Sequence, residues 1–263
     1  MAVSRDGGAD SSGGKGPGEK SAEGSSGGPA GGGPGGGDGP LDLEVRVDAS
    51  FTPIYRFLRV LVHLLNRLLF RTTVDGADQV PASGPVIIAP VHRSFIDFFV
   101  ASEVTSRKLH YMAKDSLWKN GLLARILPAV GAFPVHRESA DRESLRRAQQ
   151  VLDAGEVLIL FPEGERRSGP VVQDLHEGVA FLAARTGATV VPVGIGGSAS
   201  VMPKGKKIPR PRHIHLVVGK PITAPERTEG GRIPRSRIHR LTEQLTATIQ
   251  DLYDRAVTST GRY

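Results

Sequence analysis

The sequence predicts an α/β fold in which helices cover a mixed, mostly parallel sheet, with an amphipathic helix towards the N-terminal end. Short β-type runs alternate with helical segments along the middle of the chain. The run at 157–161 is apolar at every position, which is typical of a strand buried on both faces. A sheet that is covered on both faces, with helices between its strands, is the α/β arrangement.

Residues 1–40 differ in composition from the rest of the chain. They contain 16 of the 33 glycines and almost no large apolar side chains. Such a segment buries too little apolar surface to offset the entropy lost on ordering, so we expect a disordered tail rich in glycine, serine and proline. The remaining 223 residues, 41–263, are enough for a single domain with a core of normal size.

The first apolar segment, 51–70, is long enough to cross a membrane but carries several basic side chains. On a helix the following four share a stripe about 80° wide: Arg56, Arg59, His63 and Arg67. Each arginine at the centre of a bilayer costs ~2.5 to 3.5 kcal/mol, which opposes a membrane span. We therefore expect a helix in the membrane interface, with its arginines towards lipid phosphates. The alternative is an ordinary helix packed on the domain, with its stripe solvated.

The β-type runs that follow lie at 85–89, 109–113, 132–135, 157–161, 189–195 and 213–218. Helices are predicted near 95–106, 117–128, 140–153 and 175–186. A last helix is predicted over 236–257, because apolar residues recur there at steps of three or four, namely Ile238, Leu241, Leu245, Ile249 and Leu252. We expect this C-terminal helix to dock on the core.

Charge and composition restrict the partners. Residues 1–40 carry three basic and five acidic side chains, so the rest of the chain has a formal charge of +9 against +7 for the whole. This charge suits nucleic acid, acidic lipid or phosphorylated small molecules. Aromatic residues are only 5%, and no helix-turn-helix or zinc pattern is evident, so we expect no nucleic acid partner. The basic stretch at 205–212 is interpreted either as a loop that contacts anions or as an exposed loop that only adds to solubility.

The sequence lacks the common motifs of cofactor and metal chemistry. The chain has no cysteine, which excludes a disulfide, a cysteine zinc ligand and a thiol nucleophile. Its sequence has neither a P-loop nor a dinucleotide-binding glycine pattern, and its eight histidines lack metal-ligand spacing. We therefore expect no metal and no cofactor.

His92 and Asp97 lie where a predicted strand gives way to a helix. Ligands of open α/β sheets bind at the carboxyl ends of strands, so His92 is well placed to react. A histidine takes a proton near neutral pH, and a carboxylate that binds its ring stabilises the imidazolium. At this spacing the side chains meet only if His92 lies in the turn before the helix. Alternatively, Ser94 and Asp97 form a capping box, with Asp97 as a helix-start residue.

Three later segments also place chemically useful residues after or within predicted strands. Arg137 has donors that match a phosphate, although a surface ion pair is the alternative. In 161–168, a glutamate accepts hydrogen bonds, a glycine permits a tight turn and an arginine binds phosphate; these are Glu163, Gly164 and Arg166. A charged surface loop is the alternative there. Pro192 interrupts its strand, so we expect that backbone to line a site.

Taken in order, these segments resemble the four-block signature of the glycerolipid acyltransferases, which include 1-acylglycerol-3-phosphate acyltransferase. The matching blocks are His92-x4-Asp97, 131–137, Phe161-Pro162-Glu163-Gly164 and Val191-Pro192-Val193. The resemblance covers roughly residues 70–220. Together with the composition and the helix pattern above, we expect one acyltransferase domain over 41–263, with a membrane-interface helix at 51–70 and a catalytic core at 71–220. Two positions depart from the family pattern: Val91 stands where asparagine is common, and Glu165 where threonine is common.

The resemblance implies transfer of a fatty acyl group from acyl-CoA or acyl carrier protein to the free hydroxyl of 1-acylglycerol 3-phosphate, in phospholipid biosynthesis. By it, His92 is the general base and Asp97 orients it. The implied substrate-binding residues are Arg93, Ser94, Arg137, Glu163, Gly164, Arg166 and Pro192.

Other acceptors and another function stay open at this point. The acceptor could instead be glycerol 3-phosphate or another lipid alcohol, and the chain could be a non-catalytic binder of anionic lipid. The expected partners are the acyl donor, a lysophospholipid or glycerol phosphate, and an anionic membrane surface. We expect a peripheral or monotopic protein on the cytoplasmic face of the cell membrane.

Overall fold

The computed structural model describes residues 52–135, 142–203, 205–206, 208–226 and 232–261. Within these ranges seven strands, numbered in chain order and bounded as given next, form one sheet with the order β1-β7-β6-β2-β5-β3-β4. The strands are β1 Thr73–Asp75, β2 Val86–Pro90, β3 Leu109–Lys114, β4 Ala132–Val135, β5 Val157–Ile159, β6 Thr189–Gly196 and β7 His215–Val218. Only β6 and β7 pair antiparallel among these strands, so the prediction of a mixed, mostly parallel sheet is confirmed.

Helices and short turns connect the strands. The α-helices are α1 Pro53–Leu69, α2 Asp97–Val100, α3 Gly121–Ala129, α4 Arg142–Asp153, α5 Gly178–Thr186, α6 Ser198–Val201 and α7 Arg235–Thr260. Three 3₁₀ turns lie at Ala77–Gln79, Ala101–Val104 and Asp115–Lys119. The predicted tail at 1–40 and the first residue of the predicted helix at 51–70 lie outside the described residues.

Two predicted helices are broken in the structure. The segment at 95–106 is the short α2 followed by a 3₁₀ turn. The segment at 117–128 is a 3₁₀ turn followed by α3, because the side chain of Asn120 accepts the amides of Leu122 and Leu123 and so starts a new helix. Strand β1 was not predicted, since its three residues are mostly exposed and form no apolar run.

The C-terminal helix α7 packs against the sheet at very short range. The five apolar residues that predict its inner face are all buried. A Cβ atom added to Gly194 would lie 2.2 Å from the backbone carbonyl carbon of Leu252, and one added to Gly196 would lie 2.3 Å from that of Ala256. Only glycine allows β6 to approach the α7 backbone this closely, so these two glycines set the position of α7.

Helix α1 is oriented differently from the prediction, with much of its polar stripe towards the protein. Arg59 donates to the carbonyls of Thr105 and Arg107, the latter at 2.8 Å. His63 contacts Glu103, and Asn66 donates to the same carboxylate at 2.8 Å. The prediction that the arginines face lipid phosphates is therefore wrong for Arg59. The carbonyls of Thr105 and Arg107 need hydrogen-bond donors, and the Arg59 side chain supplies them.

The opposite side of α1 is apolar and exposed. The exposed side chains are Ile54, Phe57, Val60, Leu61, Leu64, Leu65, Leu68 and Leu69. Such a large apolar patch on a protein surface is typical of a membrane or protein contact. None of the helices in the described ranges combines the length and the hydrophobicity needed to cross a bilayer.

Candidate active site

His92 lies just beyond the carboxyl end of β2, in the turn that leads to α2. Because the chain reverses in this turn, His92 Nδ1 reaches Asp97 Oδ2 at 3.0 Å despite the five-residue spacing. The imidazole is 3% exposed and the carboxylate is fully buried. A carboxylate oxygen only accepts, so Nδ1 carries the proton and Nε2 is left as the proton acceptor of the ring.

The carboxylate of Asp97 also organises the turn itself. Its Oδ2 accepts the backbone amides of Arg93 and Ser94, both at 2.6 Å. The hydroxyl of Ser94 donates to the carbonyl of Met202 at 2.8 Å and accepts the amide of Ile96, whereas the amide of Asp97 donates to the Ser94 carbonyl. Only half of the predicted capping box therefore forms. The two interpretations of Asp97 are therefore compatible: one oxygen holds the helix start and the imidazole together.

Aromatic rings fix the plane of the imidazole. Phe161 stacks on His92 with ring centroids 4.0 Å apart and planes 29° apart. Phe98 meets the same ring edge-on at 5.3 Å and 86°. With one hydrogen bond and two ring contacts, His92 is restricted to one orientation.

A cavity of about 340 Å³ opens beside His92. Most of its wall is apolar, including Leu58 and Val62 of α1, Phe98 and Phe99 at α2, and Leu127 of α3. The basic side chains on its wall are Arg59, Lys114 and Arg166. The cavity thus combines a proton acceptor and cations with a long apolar wall, a combination that suits an amphipathic anionic substrate.

Arg93 and Glu163 form a buried ion pair behind the histidine. Arg93 Nη1 lies 2.7 Å from both carboxylate oxygens of Glu163. Glu163 Oε2 also accepts the backbone amide of His92 at 2.8 Å. Glu163 is fully buried and Arg93 is 3% exposed, so direct contact of either with substrate stays a prediction, and their burial favours an indirect role.

The remaining predicted site residues are more scattered. Gly164 turns with a φ of +69°, and a Cβ there would lie 2.7 Å from the His176 ring, so the turn requires glycine. Arg166 lines the cavity together with His92. Pro192 is buried in β6 opposite Ala89 and does not belong to the part of the cavity wall that the structure describes. Arg137 lies outside the described residues.

Sequence reasoning missed Lys114 and the aromatic contacts of His92. Lys114 is the last residue of β3 and lines the cavity, so the rule that ligands bind at the carboxyl ends of strands could have found it. Tyr111, three residues earlier in β3, also lines the cavity. Burial, and secondarily the neighbouring Tyr55, raises the pKa of the Tyr111 hydroxyl far above its usual value, so this group is neutral.

Comparison with known proteins supports the fold and the class of enzyme. The acyltransferase family model matches residues 71–196, a range that contains His92, Asp97 and Glu163. The match spans 126 of the 263 residues and identifies an acyltransferase domain, so the chain is an acyltransferase enzyme.

Named relatives are 1-acyl-sn-glycerol-3-phosphate acyltransferases. The protein of Bacillus subtilis is 27% identical over 200 residues, which cover 75% of this chain and 96% of that protein. The protein of Streptococcus pneumoniae is 29% identical over 173 residues, covering 64% of this chain and 62% of the relative. A chloroplast protein of Arabidopsis thaliana is 24% identical, and the match spans only 44% of its length.

A solved structure supports the architecture. The crystal structure of the 1-acyl-sn-glycerophosphate acyltransferase PlsC from Thermotoga maritima superposes with a TM-score of 0.59 at 21% identity, over 75% of this chain and 80% of that one. At this identity the likeness establishes the fold.

Proposed function

We propose that this acyltransferase moves a fatty acyl group from acyl-CoA or acyl carrier protein to the free hydroxyl of 1-acylglycerol 3-phosphate. The observation that carries the proposal is the His92–Asp97 hydrogen bond beside a largely apolar cavity with cations on its wall. The names of the relatives support the choice of acceptor.

His92 is the proposed general base. Its Nε2 takes the proton of the acceptor hydroxyl while the oxygen attacks the thioester carbonyl. A C–O bond forms, the C–S bond breaks, and the imidazolium returns its proton to the departing thiolate. General-base help of this kind is worth ~10² to 10⁴ in rate. Asp97 stabilises the imidazolium across the 3.0 Å contact and keeps Nε2 free of the proton at the start.

The acceptor phosphate is the proposed partner of the cations. Arg166 lines the cavity with His92, and a guanidinium binds two phosphate oxygens at once. Lys114 lines the same cavity and offers a second positive charge. When these cations hold the phosphate, the acceptor hydroxyl is placed next to His92. The bound acceptor is then held in a near-attack geometry. Arg137 stays a predicted phosphate ligand.

The acyl chain is the proposed occupant of the apolar part of the cavity. Helix α1 contributes Leu58 and Val62 to that wall, and its outer surface carries the exposed apolar patch described above. A helix with these two surfaces can rest in the membrane interface while one side contacts the substrate. The proposal therefore includes peripheral or monotopic attachment at the cytoplasmic face of the cell membrane.

The test is a competition among acceptors. Purified protein is given acyl-CoA together with equal amounts of glycerol 3-phosphate, 1-acylglycerol 3-phosphate and a lysophospholipid without a terminal phosphate monoester, and the products are identified by mass spectrometry. We expect mainly the diacylated glycerol phosphate. Preferential acylation of glycerol 3-phosphate, or of the acceptor without a terminal phosphate, would contradict the proposed acceptor.

A further inference from the structure

Arg93 ties three segments together underneath His92. Besides its pair with Glu163, its Nε donates to the carbonyl of Gly169 at 3.2 Å and its Nη2 to that of Val171 at 3.1 Å. The guanidinium therefore connects the His92 turn, the turn after β5 and the loop at 169–171. A buried charge with this many partners holds a fixed position.

One face of this guanidinium is covered by Tyr253 of α7. Arg93 Cζ lies 4.9 Å from the centroid of the Tyr253 ring, within range of a cation–π contact. The Tyr253 hydroxyl approaches the Gly169 carbonyl at 3.4 Å, the same oxygen that Arg93 Nε contacts. Tyr253 is 1% exposed, so the interaction takes place away from water, where such contacts are strongest.

The position of Tyr253 is set by the packing of its helix. The preceding residue, Leu252, is the one whose backbone rests on Gly194, and Ala256 rests on Gly196. With the α7 backbone in contact with β6 on both sides of Tyr253, the ring cannot slide along the sheet. Tyr253 lies outside residues 71–196, the range that the family model matches.

We propose that Tyr253 is a positioning residue for acyl transfer. It holds the Arg93–Glu163 pair, and Glu163 in turn holds the backbone amide of His92 at 2.8 Å, so α7 fixes the angle at which His92 faces the cavity. This inference rests on the proposed role of His92 as general base. Tyr253 is buried behind Arg93 and contacts no substrate.

The experiment compares three variants of the full chain with the wild type. Tyr253→Leu removes the ring, Tyr253→Phe keeps the ring and removes the hydroxyl, and Leu245→Ala removes an equally buried side chain about two turns earlier on α7. For each variant kcat, both KM values and Tm are measured, with kcat referred to folded protein.

We expect Tyr253→Leu to lower kcat by about ten- to thirtyfold, the range for loss of a desolvated cation–π contact, with both KM values unchanged. Tyr253→Phe should retain kcat within about threefold, because the ring still covers the guanidinium. Leu245→Ala should lower Tm while its kcat stays at the wild-type value. Equal losses of kcat in Tyr253→Leu and Leu245→Ala, or a wild-type kcat in Tyr253→Leu, would overturn the inference.

A second pair of variants serves if Tyr253→Leu does not fold. Glu163→Gln keeps the size of the side chain and weakens its hold on Arg93. Combined with Tyr253→Met, which removes the ring and fills its space with a flexible side chain, it should show a kcat loss that differs from the product of the two single losses, because both changes act on one network. Strictly multiplicative losses would overturn the coupling. Wild-type activity of His92→Ala would instead remove the proposed function itself, whatever the Tyr253 variants do.

Discussion

Replacing Asp97 by asparagine removes the charge beside His92 and little else. The side chain keeps its size, and its amide oxygen can still accept the backbone amides of Arg93 and Ser94, which now lie 2.6 Å from the carboxylate. The turn should therefore form. The change acts on the imidazolium that develops when His92 takes the proton of the acceptor.

The size of the effect follows from the distance. Two unit charges 3.0 Å apart interact by about 5 kcal/mol at an effective dielectric constant of about 20. The amide dipole of asparagine recovers part of this energy, so we expect a loss of roughly 3 to 4 kcal/mol in the transition state. At about 1.4 kcal/mol per factor of ten, kcat should fall about 10² to 10³-fold.

The assay is the steady-state rate with labelled acyl-CoA, together with Tm and circular dichroism. The KM values should be unchanged, because Asp97 is fully buried and cannot touch a substrate. Asp174→Asn, at an exposed carboxylate, is the matched control and should behave as wild type. A kcat of Asp97→Asn within threefold of wild type, in folded protein, would refute the argument for an ionic partner.

Three further predictions concern the cavity, the outer face of α1 and a buried histidine. Arg166→Ala should raise the KM for the phosphorylated acceptor by roughly 10- to 100-fold, with the donor KM unchanged, whereas surface Arg185→Ala should alter neither; an unchanged acceptor KM would remove Arg166 from the site. In the second, Phe57, Val60 and Leu68, which are 68%, 66% and 67% exposed, are all changed to glutamine. Binding to anionic vesicles should weaken at least about a hundredfold, because each residue loses roughly 1 kcal/mol or more, whereas the control Phe181→Gln should bind as wild type. Equal vesicle binding by the triple variant would exclude α1 as the contact. In the third, burial, and secondarily Lys108, lowers the pKa of His110 in the folded protein to about 4. Between about pH 6.5 and 4 the histidine is protonated in the unfolded chain but not in the folded protein, so the free energy of unfolding should decline as pH falls through this range. His110→Leu should flatten that decline in chemical denaturation by up to about 3 kcal/mol, and an identical pH profile would show that His110 does not cause it.

The sequence was informative where the signal is local. The five-residue spacing of His92 and Asp97, read with the strand that precedes it, predicts that they meet only in a turn, and they do at 3.0 Å. The continuous apolar run at 157–161 likewise predicts a strand covered on both faces, and β5 is fully buried.

Other features depend on contacts that the sequence does not encode locally. The polar stripe of α1 is equally compatible with water, lipid headgroups or protein carbonyls, and the choice depends on the carbonyls of Thr105 and Arg107. Arg93 and Glu163 are charged residues of the kind found in surface loops. They nevertheless pair in the interior, because each neutralises the charge of the other. The contact of Tyr253 with Arg93 joins positions 160 residues apart and leaves no pattern in the chain.

The measurement that tests the central claim most directly is the rate of acyl transfer by His92→Ala. Removal of the only imidazole on the described cavity wall should lower kcat at least about a hundredfold, while circular dichroism and Tm show a folded protein. A rate above about a tenth of wild type in folded His92→Ala would mean that another group takes the proton of the acceptor hydroxyl.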